Sequence, residues 1–168
     1  LSTKTKQEVV VVTGDRDLLQ LVVDDRVKVF MPTKGLSEGK LYGEADVKER
    51  MGVAPAHVTD LKALSGDSSD NYPGVAGIGP KTALQLIETF GSVEALYRAL
   101  TKKDKRLSKF SAGVIAKLTS GTKDAVLFKQ IASIRTDVSL EKLDPTPSWS
   151  LESPQGLAAL EKFGFPSL

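Results

Sequence analysis

Four consecutive valines, Val9 to Val12, followed at once by Gly14 and the carboxylates Asp15 and Asp17, constrain this chain more than any other feature. A β-branched run without polar alternation predicts a strand over Glu8 to Thr13, buried on both faces as at the centre of a parallel sheet. Leu18, Leu19, Leu21 and Val22 then predict a short helix. Val27 and Val29, within Arg26 to Met31, predict a second strand that Pro32 and Gly35 end. Strand, short helix and strand in this order make an α/β layer whose crossover lies at the Gly14 to Asp17 corner.

From Gly43 onward the apolar period becomes helical. Val47 with Met51, and then Val58, Leu61, Lys62 and Leu64, predict two short helices separated by Gly52 and Pro55. The stretch Ser65 to Gly79 holds four glycines and a proline and reads as turns. Ala83, Leu86, Ile87 and Phe90 then make one apolar helical face, closed by Gly91. Val93, Leu96, Tyr97 and Leu100 repeat that spacing, with Ser92 as the N-cap. Leu127, Ile131 and Ile134 continue a helix into an extended segment near Ile134 to Val138. Pro145, Pro147 and Pro154 mark a loop in which Trp149 packs on the core, and Leu157, Leu160, Glu161 and Phe163 form a last short helix.

Composition excludes more than it selects. With 23 basic and 21 acidic residues the net charge is +2, so only the distribution of charge is informative. There is no cysteine for a disulfide, a thiolate zinc site or a nucleophile, which suits a reducing cytosol. The single histidine, His57, excludes a multi-histidine metal site and reads as a surface or helix-start residue. The longest uncharged apolar run is the valine segment itself, far short of a membrane span, and Lys4 and Lys6 before it do not make a signal peptide.

Two carboxylate pairs stand out. Asp15 and Asp17 lie just past the carboxyl end of the valine strand, where open α/β sheets bind ligands. Asp67 and Asp70 lie in Gly66-Asp-Ser-Ser-Asp-Asn71, a spacing that brings both side chains to one side of a helical turn. Carboxylates without histidine or cysteine suit hard cations such as Mg²⁺ or Mn²⁺, including a two-metal arrangement, if the fold brings the pairs together. Either pair taken alone reads first as ordinary caps and turns.

The segment Gly74-Val-Ala-Gly77-Ile-Gly79-Pro80-Lys81-Thr82 opens directly into a helix. Its glycines, the helix N-terminus and Lys81 suit a backbone phosphate; a purely structural loop is the alternative. Pro80 separates Gly79 from Lys81 and no strand leads in, so the P-loop pattern fails and nucleotide triphosphate binding is disfavoured. The cluster Lys102, Lys103, Lys105, Arg106 and Lys109 reads on charge alone as a solvated linker.

Thr13-Gly-Asp-Arg-Asp-Leu-Leu-Gln20, Leu64-Ser-Gly-Asp-Ser-Ser-Asp-Asn-Tyr-Pro-Gly-Val-Ala-Gly-Ile-Gly-Pro-Lys-Thr-Ala83 and Ile131-Ala-Ser-Ile-Arg-Thr-Asp137 resemble the structure-specific 5′ nuclease family, in particular the 5′-3′ exonuclease domains of bacterial DNA polymerase I. The resemblance implies an α/β fold: a partial PIN-like parallel sheet core with a helix-hairpin-helix-type (helix-three-turn-helix) DNA-binding region. It divides the chain into a core part at 1–45, a helical region at 46–132 with its motif at 64–100, and a return segment with a C-terminal helix packing on the core at 133–168. It implies Mg²⁺- or Mn²⁺-dependent cleavage of 5′ flaps and 5′ ends of duplex DNA, in a monomer whose parent protein carries a polymerase domain. Asp15, Asp17, Asp67 and Asp70 match family metal ligands. Gly74, Gly77, Gly79, Lys81 and Thr82 match the element that grips the duplex, with Lys102, Lys103 and Lys105 beyond it. Main-chain oxygens of Leu64, Ser65, Pro73, Val75 and Ile78 match a K⁺ site.

Family members begin with a further strand bearing an Asp, more acidic residues and a basic helical arch, none of which precedes Leu1. The expectation is therefore a C-terminal portion of the nuclease, with an incomplete carboxylate set that binds Mg²⁺ weakly and is silent alone. An exposed apolar face on the valine strand is expected on the same ground. The reading from a different class is a non-catalytic DNA-binding module in which only the hairpin and the basic cluster function.

Overall fold

β1 (Val9–Val12) and β2 (Val27–Lys34) pair in parallel, from Val9 opposite Val27 to Val12 opposite Phe30, with a 3₁₀ helix at Arg16–Leu21 as the crossover. The structure is a computed structural model that describes residues 7–34, 38–139 and 154–164. Readings that fall on Lys4, Lys6, Gly35, Pro145, Pro147 and Trp149 lie outside the described residues.

The valine strand is not the centre of the sheet. Among the described residues the order is β1-β2-β3, which puts β1 at an edge and β2 in the middle. Val11 packs against the core, whereas Val10 and Val12 are 49% and 57% exposed, so only one face of β1 is covered. The exposed apolar face expected for this strand is present. β3 (Glu38–Tyr42), which pairs antiparallel with β2, has too weak an alternation to be read from the sequence. Nor does Pro32 end β2: pairing with β1 stops at Phe30, so past that point one edge of β2 is unpaired, and the register shifts between Pro32 and Lys34. Proline is tolerated at such an edge or bulge because no ladder hydrogen bond is lost.

Helices follow: α1 (Glu44–Met51), a 3₁₀ turn at Pro55–His57, α2 (Val58–Ser65), α3 (Pro80–Phe90) and α4 (Val93–Lys102). After a 3₁₀ turn at Lys105–Lys109 come α5 (Ala112–Ser120) and α6 (Thr122–Ala132). α5 deeply buries only Leu118 and has no clear apolar period in the sequence. His57 stands at the start of α2, as expected. Ser92 caps α4 by accepting the Ala95 N–H at 3.2 Å. Leu19, Val29, Val47, Val58, Leu64, Leu86, Leu96 and Leu118 belong to one continuous buried cluster, so the α/β layer and the helical region share a core. Contacts divide the chain between Thr136 and Asp137. The second unit contains α7 (Pro154–Lys162), on which Leu157 is exposed. Among the described residues no helix is long and apolar enough to cross a membrane.

Asp60 of α2 is 2% exposed and joins three helices. It accepts from the Val93 amide at 2.8 Å and from Lys129 Nζ of α6 at 2.6 Å, and Lys129 in turn meets Glu94 at 2.8 Å. Removing one partner of a buried pair leaves the other uncompensated. Asp60→Ala should therefore lower stability by about 3 kcal/mol, read from the urea unfolding midpoint; a loss below about 1 kcal/mol would show the pair to be energetically idle.

Candidate metal centre and phosphate-binding hairpin

The Gly14 corner turns the chain from β1 into the 3₁₀ helix, and Asp15 caps that helix through its Oδ1, which accepts the Asp17 N–H at 2.8 Å. Asp17 is thereby carried into the first turn. On the other side, α2 ends at Gly66, and residues 67–72 form a turn closed by a bridge between Asp67 and Tyr72. This is a turn and not the helical one expected: Asn71 takes φ +56°, and Asp67 Oδ1 folds the segment by accepting the Ser69 amide at 2.9 Å. The Tyr72 ring stacks on Phe128 of α6 at 5.4 Å, fixing the turn to the helical region.

Asp17, Asp67 and Asp70 converge, each offering a carboxylate oxygen within 4.8 Å of the others. Asp15 does not join this group; its carboxylate serves the cap. Between them reaches Lys62 of α2, 6% exposed, whose ammonium pairs with Asp17 and with Asp67 at 2.5 Å. Three carboxylates against one ammonium leave the cluster negative, and hard oxygen donors of this kind fit a divalent cation. In the sequence Lys62 is marked only as a lone charge in the otherwise apolar helical run from Leu61 to Leu64. Burial would raise the Asp67 pKa, but hydrogen bonds from Lys62 and Ser69 outweigh it and hold the carboxyl at about 2, below its ordinary 3.8.

The glycine segment follows directly. The Val75 amide donates to Leu64 O at 3.0 Å and Ile78 N to Val75 O at 2.9 Å, while the Val75 and Ile78 side chains are buried as anchors. Gly74 has φ +66° and lies so close to α2 that a Cβ there would stand 2.2 Å from Gly66 N. Only glycine fits. Gly77, Gly79 and Lys81 are exposed, Pro80 opens α3, and Thr82 lies in its first turn. Lys117 of α5, which no sequence pattern marked, lays its stem across Gly77 and donates to Gly77 O at 3.2 Å. Among the described residues Lys117 has no acidic partner within 4.0 Å, so its charge remains beside the hairpin.

The basic cluster is folded and not a linker. Lys102 ends α4, Lys103 is its left-handed cap at φ +51°, and Lys105 begins the 3₁₀ turn. Arg106 is committed to Asp104 at 2.9 Å and lies 4.9 Å over the Phe90 ring, whereas Lys102, Lys103 and Lys105 remain exposed. The third sequence motif meets the first through Gln20, whose Nε2 donates to Ala132 O at 2.9 Å and whose Oε1 accepts the Ile134 amide at 3.0 Å.

Residues 53–154 match the family model described as 5′-3′ exonuclease, C-terminal SAM fold. DNA polymerase I of Lactococcus lactis is 42% identical over 134 residues, which are 80% of this chain and 14% of that protein. The 5′-3′ exonuclease of Bacillus subtilis is 41% identical over 133 residues, 79% of this chain and 42% of that protein. The chain therefore spans less than half the length of these relatives. Among solved structures, the T5 5′-exonuclease with bound zinc aligns over 75% of this chain and 43% of its own, at TM-score 0.61 and 25% identity. The catalytic core of Rad2 in complex with DNA substrate aligns over 92% and 52%, at TM-score 0.54 and 17% identity, a likeness of fold alone.

The lowered Asp67 pKa has a stability consequence of defined sign. A carboxyl held at about 2 when folded and at 3.8 when unfolded stabilises the fold above pH 3.8, and that contribution is lost as the pH falls through about 2. Asp67→Asn should flatten this segment of the stability–pH curve in urea unfolding measured between pH 5 and pH 2; an unchanged curve would show that the Lys62 and Ser69 contacts do not persist in solution.

Proposed function

The chain belongs to the 5′-3′ exonuclease family, and from that premise we propose that it forms part of a metal-dependent 5′-3′ exonuclease and 5′-flap endonuclease that hydrolyses DNA phosphodiesters in primer removal and repair. The observation that carries this reading is the convergence of Asp17 with Asp67 and Asp70, from segments about fifty residues apart, next to an exposed glycine hairpin. A pure binding module has no use for acids beside phosphate, since they repel it.

In this reading Asp17, Asp67 and Asp70 hold Mg²⁺ or Mn²⁺, with Asp15 the neighbouring fourth carboxylate. When bound, the cation supplies water activation and stabilises the leaving oxygen of a phosphodiester. The protein's own part is to keep the carboxylates together and the DNA backbone in place. Gly77 and Gly79 let main-chain amides approach a phosphate, the buried Gly74 seats the hairpin on the end of α2 and does not itself face a ligand, and Lys81 at the start of α3 and Lys117 over Gly77 add positive charge. Thr82, Lys102, Lys103 and Lys105 extend that surface. Carbonyls of Leu64, Ser65, Pro73, Val75 and Ile78 would hold K⁺; the Val75–Leu64 hydrogen bond, which draws their two segments together, supports this. The whole protein would act in a bacterial cytoplasm, joined to a polymerase domain as in its DNA polymerase I relatives.

The test is cleavage of a fluorescent 5′-flap duplex with Mg²⁺ or Mn²⁺, by this chain and by this chain joined to the preceding part of a related exonuclease. Cleavage by either, abolished by EDTA, supports the proposal. Duplex binding without cleavage by both would overturn it in favour of the binding module. Asp67→Ala should abolish cleavage while duplex affinity stays within about twofold. Lys81→Ala should weaken binding on every sequence and reduce the salt slope of log K by about 1; an unchanged slope would remove Lys81 from the interface.

A further inference from the structure

We propose that the Lys62 ammonium is a built-in counter-ion of the carboxylate cluster, which a divalent cation has to displace, so that Lys62 sets how tightly the site takes metal. The inference rests on the divalent-metal reading given above and concerns a residue outside the carboxylate set. Lys62 rises from α2 among buried neighbours, with Leu61 8%, Ala63 0% and Leu64 0% exposed, and is itself 6% exposed. A lysine that deeply placed is tolerated only if its charge is met. It is met twice, by Asp17 and by Asp67, from the two segments that make the site.

Those two carboxylates are also two of the three whose oxygens converge. The ammonium and a divalent cation thus draw on the same two carboxylates, and like charges cannot sit against them together at short range without strong repulsion. The other buried charged centre offers no relief, because Lys129 is committed to Asp60 and Glu94. Lys62 therefore has two opposed effects. Without metal it holds Asp17 and Asp67 together, which three bare carboxylates would not do. In the presence of metal it competes, and affinity is given up for an assembled site.

The experiment is a Mn²⁺ titration of the full chain, following free Mn²⁺ by electron paramagnetic resonance, with thermal unfolding recorded with and without Mn²⁺. Lys62→Met should bind Mn²⁺ about ten- to a hundredfold more tightly than the parent chain. It should also unfold at a lower temperature without metal and gain more on adding it. Lys62→Arg, which keeps the charge, should stay near the parent, and Asp67→Asn should bind more weakly. Equal or weaker binding by Lys62→Met, with Asp67→Asn still weakened, would overturn the proposal and leave the metal site standing. Mn²⁺ binding that Asp67→Asn does not alter, or no binding by any variant, would overturn both. Should circular dichroism show Lys62→Met unfolded, Lys62→Gln carries the same expectation with an amide able to donate to one carboxylate.

Discussion

Two buried charges on one short helix organise this molecule. Asp60 and Lys62 stand two residues apart on α2, which places them roughly 200° apart around the helix axis. Asp60 is turned to the helical region, where it receives the Val93 amide and the Lys129 ammonium. Lys62 is turned the other way, where it meets Asp17 of the α/β layer and Asp67 of the turn that follows α2. The apolar residues between and around them, Val58, Ala63 and Leu64, are fully buried in the shared core. A rotation of α2 by one residue would strand both charges at once, so polar pairing fixes an orientation that hydrophobic burial alone leaves loose.

Much of this was legible from spacing. The helical faces of α3 and α4, the Ser92 cap and the turn-rich stretch after Leu64 follow from apolar periods and glycine positions, and they stand where the sequence places them. The valine run gave the strand but not its place in the sheet, because a run of four valines reads the same whether one face or both are covered. β3 and α5 are not legible in the sequence for a related reason: Glu38–Tyr42 is mostly exposed, and α5 buries only Leu118 deeply, so neither carries a clear period. Asp17, Asp67 and Asp70 were identifiable as residue types at suggestive corners, yet their convergence is a tertiary fact. Lys62 and Lys117 acquire meaning only from what the fold sets beside them.

The hairpin depends on elements beyond the two helices that flank it. Val75 is gripped from behind by the α5–α6 corner, where a Cβ on Gly121 would stand 2.6 Å from Val75 Cγ1, and Lys117 lies over the adjacent Gly77. With the Val75 amide bound to Leu64 O, the loop is clamped between the end of α2 and the start of α6. Apart from the buried Val75 and Ile78 the glycine loop has little side chain of its own to hold its shape, and its rigidity comes from such outside supports.

The Gln20 clamp has a consequence for how the chain is made. Its two hydrogen bonds span 112 and 114 residues of sequence. Closing so long a loop carries an entropic cost that only the finished interface returns, and contacts of this separation slow folding. During synthesis the helices from α1 to α4 can collapse locally as they emerge. The segment bearing Gln20, made first, can pair with β2 and α2 early but gains its tie to the end of α6 only once Ile134 has left the ribosome, so a contact of the earliest part of this chain to be translated is among the last to form.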